Sequence, residues 1–203
     1  MRRCHAVFAG LIALSLSASA VLAQPVTDRA QVQGGQYGLD KSHAKLIWAT
    51  SHFGFSTYYG EFTDFDAKLN FDPAAPEKSS LDLTINTASV ATHDAALDKH
   101  LKAPDFFNVE KFPKATFKSS GIEVTGPNTG RVTGDLTLLG VTKPVTLDVV
   151  FNGAGEGPVS KKYTAGFSAE GTIKRTEFGM ATYAPYIGDE VKITFSGEFI
   201  KAE

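Results

Sequence analysis

Alternation of apolar and polar residues at a period of two, renewed segment after segment from residue 37 to residue 199, restricts this chain more than any other feature. In residues 63–71, Thr63, Phe65, Ala67, Leu69 and Phe71 point one way, and Asp64, Asp66, Lys68 and Asn70 the other. That gives one dry and one wet face. The pattern returns as Leu81, Leu83 and Ile85, as Val132, Gly134, Leu136 and Leu138, and as Val145, Leu147, Val149 and Phe151. It appears again from Tyr163 through Phe167 to Ile173, and in Val191, Ile193, Phe195 and Phe199; residues 115–124, with Phe117, are also extended. Residues 45–55 alternate less strictly. Leu46, Trp48, Thr50 and His52 share a face there, opposite Ile47, Ala49, Ser51, Phe53 and Phe55. Turn chemistry separates the segments at Gly60, 72–76, 126–130 and 140–144, and residues 153–158 read as a flexible loop.

About eight antiparallel strands with one apolar face each must stack as a sandwich or close into a barrel, because an open sheet exposes edges and a dry side. Closure fits better. The predicted class is an all-β, eight-stranded antiparallel barrel. Small inward residues such as Ala67, Gly134, Ala169 and Gly197 either leave a channel along its axis or accommodate the coiling of the strands.

One short helical excursion interrupts the strands. From residue 92 to 102 the apolar residues fall at Ala96, Leu97 and Leu101, and Asp98 stands four before Lys102, which is helical spacing with a helical charge pair. Pro104 opens a further turn carrying Phe106 and Phe107, and Phe112-Pro113 restores extended chain. Adjacent residues on a helical turn point about 100° apart, so these two rings reach different surfaces. They plug the end of a core or wall the mouth of a cavity.

Residues 1–23 read as a secretory signal, with Arg2 and Arg3 before an apolar run and a small-residue exit ending at Ala23; an exit at Ala20 also fits. The run is too short for a stable membrane span, and no other segment is long and apolar enough. Cys4 lies inside this signal, so the mature chain has no cysteine and rests on its core rather than on disulfides. The mature part carries 18 basic against 22 acidic residues, a formal charge of −4 with neutral histidines. That suits a soluble monomer or homodimer. Its lysines are scattered rather than set in an aromatic-interleaved stripe, which argues against nucleic acid. Residues 24–36 are polar and aperiodic and read as a flexible leader, leaving 37–203 as one domain.

The search for catalysis yields little. His43 and His52 stand nine apart, roughly 30 Å along one strand, and His93 and His100 about 10 Å along a helix, so neither pair chelates a metal by itself. His52, inside an apolar strand, is a core histidine or a polar contact in a pocket. Residues 166–170 lack the second glycine of a nucleophile elbow, and 153–157 lead into Pro158 rather than a helix, so no phosphate site forms. Asp94 and Asp98 share a solvated helix face. Residues 175–179, RTEFG, are too polar at their start for the core.

Four stretches in order carry a family resemblance: LDKSHAKLIWATSHFGFSTYYGEF (39–62), LDKHLKAPDFFNVEKFPKATFKS (97–119), GDLTLLGVTKPVTLDV (134–149) and IKRTEFGM (173–180). The chain resembles the YceI-like proteins, a periplasmic polyisoprenoid-binding family with a lipocalin-like barrel. The resemblance implies a bore that holds a long isoprenoid or similar amphiphile, with no reaction performed and no cofactor beyond that lipid. Carried over by motif, Trp48, His52, Phe53, Phe106, Phe107, Arg175 and Phe178 are expected to border the pocket, with Phe65, Leu69, Phe117 and Phe167 completing the lining from the dry faces. His52 or Arg175 is expected to orient a polar head. One departure stands out: the family pattern often has arginine before its Asp-x-His-Leu element, where this chain has Leu97.

Overall fold

The computed structural model describes residues 24–203. The predicted signal, 1–23, lies outside the described residues. Ten strands form one sheet: β1 (Gly35–His52), β2 (Ser56–Phe62), β3 (Phe65–Phe71), β4 (Ser80–Asn86), β5 (Val90–Ala91), β6 (Lys114–Val124), β7 (Thr129–Leu138), β8 (Val141–Glu156), β9 (Tyr163–Lys174) and β10 (Ile187–Lys201). Every recorded pairing is antiparallel, and β10 pairs back onto β1 from Tyr37↔Lys201 to His52↔Ile187. The sheet is therefore a closed barrel. Eight strands make its wall, because β1 pairs with β3 at one end and β2 at the other, so β2 and β3 act as one strand broken at Thr63-Asp64, while β5 is a two-residue addition to β2.

The alternation read from the sequence is the alternation of burial. Phe65, Ala67, Leu69 and Phe71 are buried on β3 while Asp66 and Lys68 are exposed. The helix α1 (Ala95–Lys102) begins where Asp94 accepts hydrogen bonds from the amides of Ala96 and Leu97 at 2.9 and 3.1 Å. Asp98 is engaged by Thr92 rather than by Lys102. It accepts bonds from both the amide and the hydroxyl of Thr92, each at 2.7 Å, which hold its carboxyl below the usual range and tie the helix to the end of β5. After α1, turns at Ala103 and Asn108 carry Phe106 and Phe107 inward before β6 starts.

The two ends of the barrel differ. At one, the β1–β2 hairpin, α1 with its following turns, and the 175–186 loop surround the opening. The other end is covered by residues 24–34, expected from composition to be a flexible leader and here laid against the barrel. Val26 exchanges backbone bonds of 2.7 and 2.8 Å with Ala154, Arg29 donates to the carbonyls of Pro127 and Pro73, and Val32 is buried. The Tyr37 phenol, buried and pushed up to about 12 mainly by that burial, donates to the carbonyl of Gln33. Two valines and one arginine suffice to seat a segment that is otherwise polar. The stretch 153–158 also differs from expectation: β8 runs on to Glu156, because a bulge at Asn152, followed by Gly153 at positive φ, keeps Ala154 paired with Ala165.

Where β1 faces β2, Trp48 lies opposite Gly60, and a Cβ built on Gly60 would fall 2.1 Å from Cζ2 of the indole. The large ring occupies the space of the missing side chain. Gly60→Val is expected to lower the unfolding free energy in urea by about 2–3 kcal/mol through overpacking. Gly121→Ala, with open space around it, should change it by less than about 0.5 kcal/mol. Equal effects from the two would refute the packing account.

Candidate functional site

The inward faces of the strands enclose an apolar cavity of about 450 Å³, reaching from the middle of the barrel to the open end. Leu46 and Trp48 from β1, Leu83 and Ile85 from β4, and Ile193 and Phe195 from β10 form its walls. Leu97, Leu101, Phe106 and Phe107 from α1 and its turn cover one side of the top. The two adjacent phenylalanines diverge as expected: Phe107 meets Phe62 edge-on at 5.3 Å, while Phe106 meets His100 at 4.9 Å and Tyr183 at 6.3 Å. A second cavity of about 130 Å³ lies toward the covered end. It shares Leu81, Leu147, Ala169, Phe195 and Phe199 with the first, so the two lie next to each other along the barrel with these side chains between them.

Seven of the residues expected at the pocket line the larger section: Trp48, His52, Phe53, Phe106, Phe107, Phe117 and Arg175. Leu69 and Phe167 line the smaller one. Phe65 and Phe178 line neither; both are buried in the packing of the wall around the larger cavity. Phe53 stands in the lining for a different reason than strand alternation. The strand ends at His52, and Phe53 and Gly54 adopt left-handed φ values of 54° and 72° in a turn closed by a 3.0 Å bond from the Phe55 amide to the His52 carbonyl. The apolar run through this turn hid it. Glycine and alanine serve differently along the bore: Phe117 and Phe195 lie over Gly134 and Gly197, filling the coil of the sheet, whereas Ala67 and Ala169 face the larger cavity.

Residues 175–179 correct the sequence reading most sharply. Arg175, expected to be too polar for the core, is 3% exposed. Its Nε donates to the carbonyl of Gly188 at 2.8 Å, Nη1 to those of Met180 and Thr182 at 2.7 and 2.9 Å, and Nη2 to that of Ile187 at 2.8 Å. Burial pushes the guanidinium down from its ordinary value, and Asp189 opposes that shift. Asp189 itself accepts from the Thr176 amide at 2.9 Å. Five donors on a rigid fork are what make such burial tolerable. With four N–H groups committed, one remains for anything in the cavity, so Arg175 chiefly organises the 179–188 loop.

The polar rim comprises Thr50, His52, Tyr58, His100 and Tyr183. Tyr58 faces inward opposite Thr50, while its neighbour Tyr59 is exposed. Tyr183 lies in an aperiodic loop and His100 drew notice only as a metal candidate, so no periodic signal marked either. Neither His52 nor His100 is hydrogen-bonded to a carboxylate among the described residues, so no oriented general base stands at the rim. The Trp48 indole N–H is buried with no hydrogen-bond partner among the described residues.

A histidine–carboxylate pair exists elsewhere. Asp40, His43 and Glu198 bring ligand atoms within 4.8 Å of one another on the outer face, from strands that residue spacing alone does not relate. His43 Nδ1 lies 3.0 Å from Asp40, and the carboxylate is held down at about 2, first by Ser42 and then by His43, while Asp40 raises the imidazole. Ser42 meets the same Nδ1 edge that faces Asp40, so the three do not form a relay.

The fold and its interior define a closed antiparallel β-barrel that encloses an apolar cavity. The chain belongs to the YceI-like domain family, whose model matches residues 37–199. It is 42% identical to a UPF0312 protein of Ectopseudomonas mendocina over 84% of this chain and 90% of that one. Among solved structures it resembles Burkholderia cenocepacia BcnA, with 29% identity, TM-score 0.72, and coverage of 81% of this chain and 99% of the other. A polyisoprenoid binding domain from Saccharophagus degradans shares the fold at 15% identity and TM-score 0.58, over 84% of this chain and 100% of that domain.

Arg175→Met is expected to lower stability by roughly 3–4 kcal/mol, because four loop carbonyls lose a charged donor, and to speed hydrogen exchange in residues 179–188. Arg175→Lys should restore little of this, since a lysine cannot span the four acceptors. Unchanged stability in both variants would assign Arg175 to ligand contact instead.

Proposed function

We propose that this protein binds and carries a long isoprenoid or similar amphiphilic lipid, such as a prenylated quinone, in its bore, without turning it over, and that it does so in the periplasm. The apolar interior of the barrel is the observation that carries the reading. Its larger section lies within the range of about 300–1,000 Å³ of small-molecule sites, and its polar groups are confined to the open end. Each methylene moved from water into such a bore contributes about 0.8 kcal/mol, so a tail gains affinity without polar contacts and specificity among tails is weak. His52 leads the rim residues that contact the polar head, with His100 and Tyr183 beside it. Membership of the YceI-like family and the fold shared with a polyisoprenoid binding domain support a ligand of this class. The N-terminal signal read from the sequence supports export.

Native mass spectrometry of the mature protein from its own host, followed by organic extraction, is expected to find a stoichiometric prenyl lipid. A clean ligand-free mass, unchanged after incubation with prenyl lipids, would end the carrier reading and leave an interaction protein with a packed bore. Ala169→Phe separates the same two readings from within, because Ala169 borders both sections of the bore. In a carrier it should reduce loading at least about tenfold while leaving thermal stability equal or higher, as expected when an open cavity is filled. In a packed bore it would instead cost about 1–3 kcal/mol. His52→Ala is expected to alter preference among head groups more than affinity for the tail, and equal losses for headed and headless ligands would count against that role.

A further inference from the structure

Every large aromatic side chain that is exposed among the described residues belongs to the open end of the barrel. Phe55 is 91% exposed at the tip of the β1–β2 hairpin and Tyr186 is 66% exposed on the 179–188 loop, with Phe53 and Tyr183 about half exposed between them. Phe53 and Tyr186 are joined by a 2.8 Å backbone bond and stack at 6.0 Å, so the two loops form one rim. Phe53 and Tyr183 also line the cavity, which makes the rim continuous with its mouth. Tyr59 stands just below, on the outer wall of β2. The large apolar side chains exposed away from this rim are Val124, Val150 and Val159.

Charge is missing from the same place. Although 21% of the chain is charged, residues 50–60 (TSHFGFSTYYG) and 178–188 (FGMATYAPYIG) contain no Asp, Glu, Lys or Arg. Loops at the tips of a soluble barrel ordinarily carry polar and charged residues, since exposed apolar rings gain nothing from water. Tyrosine and phenylalanine on these two uncharged loops suit the boundary between lipid head groups and acyl chains, where the ring is dehydrated and the phenol stays wet.

We infer that this aromatic rim docks the mouth of the barrel onto the surface of a lipid bilayer, so that the ligand passes between bilayer and bore without crossing water. The inference rests on the lipid-carrier reading for its purpose, though not for its geometry. Because the two loops lack formal charge, attachment comes from ring insertion and needs no anionic lipid. α1 and the turn after it stand beside the rim with Lys99, Lys102 and Lys111 against Asp98, Asp105 and Glu110, so their formal charges balance and add no net attraction.

The test is co-sedimentation of the mature protein with vesicles of pure phosphatidylcholine at low and high salt, alongside a Phe55→Glu/Tyr186→Glu variant. Neither residue lines the bore, and both are largely exposed, so folding and loading are left intact. The wild type is expected to bind with little salt dependence, and the variant at least about tenfold more weakly. Phe55→Ser/Tyr186→Ser should show the same loss without added charge. Loading with a prenylated quinone presented in detergent micelles should be equal in all three proteins. Absence of wild-type binding to these vesicles, or binding unchanged in both variants, overturns the inference. So does light scattering that shows a wild-type dimer and monomeric variants, which would make the rim a face between copies. Rim-dependent vesicle binding with no loading in any protein would sustain docking and remove the carrier reading.

Discussion

The pairing of the first long strand with the last is the constraint on which the rest depends. β1 and β10 are joined over most of their length, and without that seam the sheet would have two free edges and an uncovered apolar side. Closure fixes which residues face inward on every strand, because a slip of one position would turn each dry face to water. It also fixes the diameter, and with it the space left once Leu, Ile, Val and Phe have been placed. The partners in this seam are the most distant in sequence, so the barrel is a topology of non-local contacts and closes only when both termini of the domain are present.

Within that frame the polar groups are sorted by position. Those at the far end fasten 24–34 against the barrel through backbone bonds and Arg29. Toward the open end, Arg175 uses its donors on loop carbonyls, so the loop holding Tyr183 and Tyr186 is anchored from beneath by a buried cation. The bore between has almost nothing to offer a reacting group. The mouth combines apolar walls with a polar rim of Thr50, His52, Tyr58, His100 and Tyr183.

Much of this was legible from alternation alone. The dry faces of β3, β7, β8, β9 and β10 follow the period-two pattern, and the helix announced itself by its change of period and by Asp98 four before Lys102, whereas the cap at Asp94 went unread. Phe106 and Phe107 were found because two adjacent rings on a turn must diverge. What escaped had no local signature. Arg175 looks like a surface residue until the folded chain brings four carbonyls around it, and residues 24–34 look idle until Val26 meets Ala154. The turn at Phe53 was masked because a phenylalanine with positive φ is disfavoured and gives no turn signal. Phe65 and Phe178 show the limit of the pattern: it tells inward from outward, and it cannot tell a side chain that borders the bore from one that packs within the wall.

Trp48, seated over Gly60 at the cavity wall, is the sole tryptophan in the chain. All indole emission from this protein therefore originates at the bore, from a ring that water does not reach through its nitrogen. The molecule thus carries an optical gauge of its own interior, sensitive to whatever enters beside that ring and insensitive to events on the outer surface.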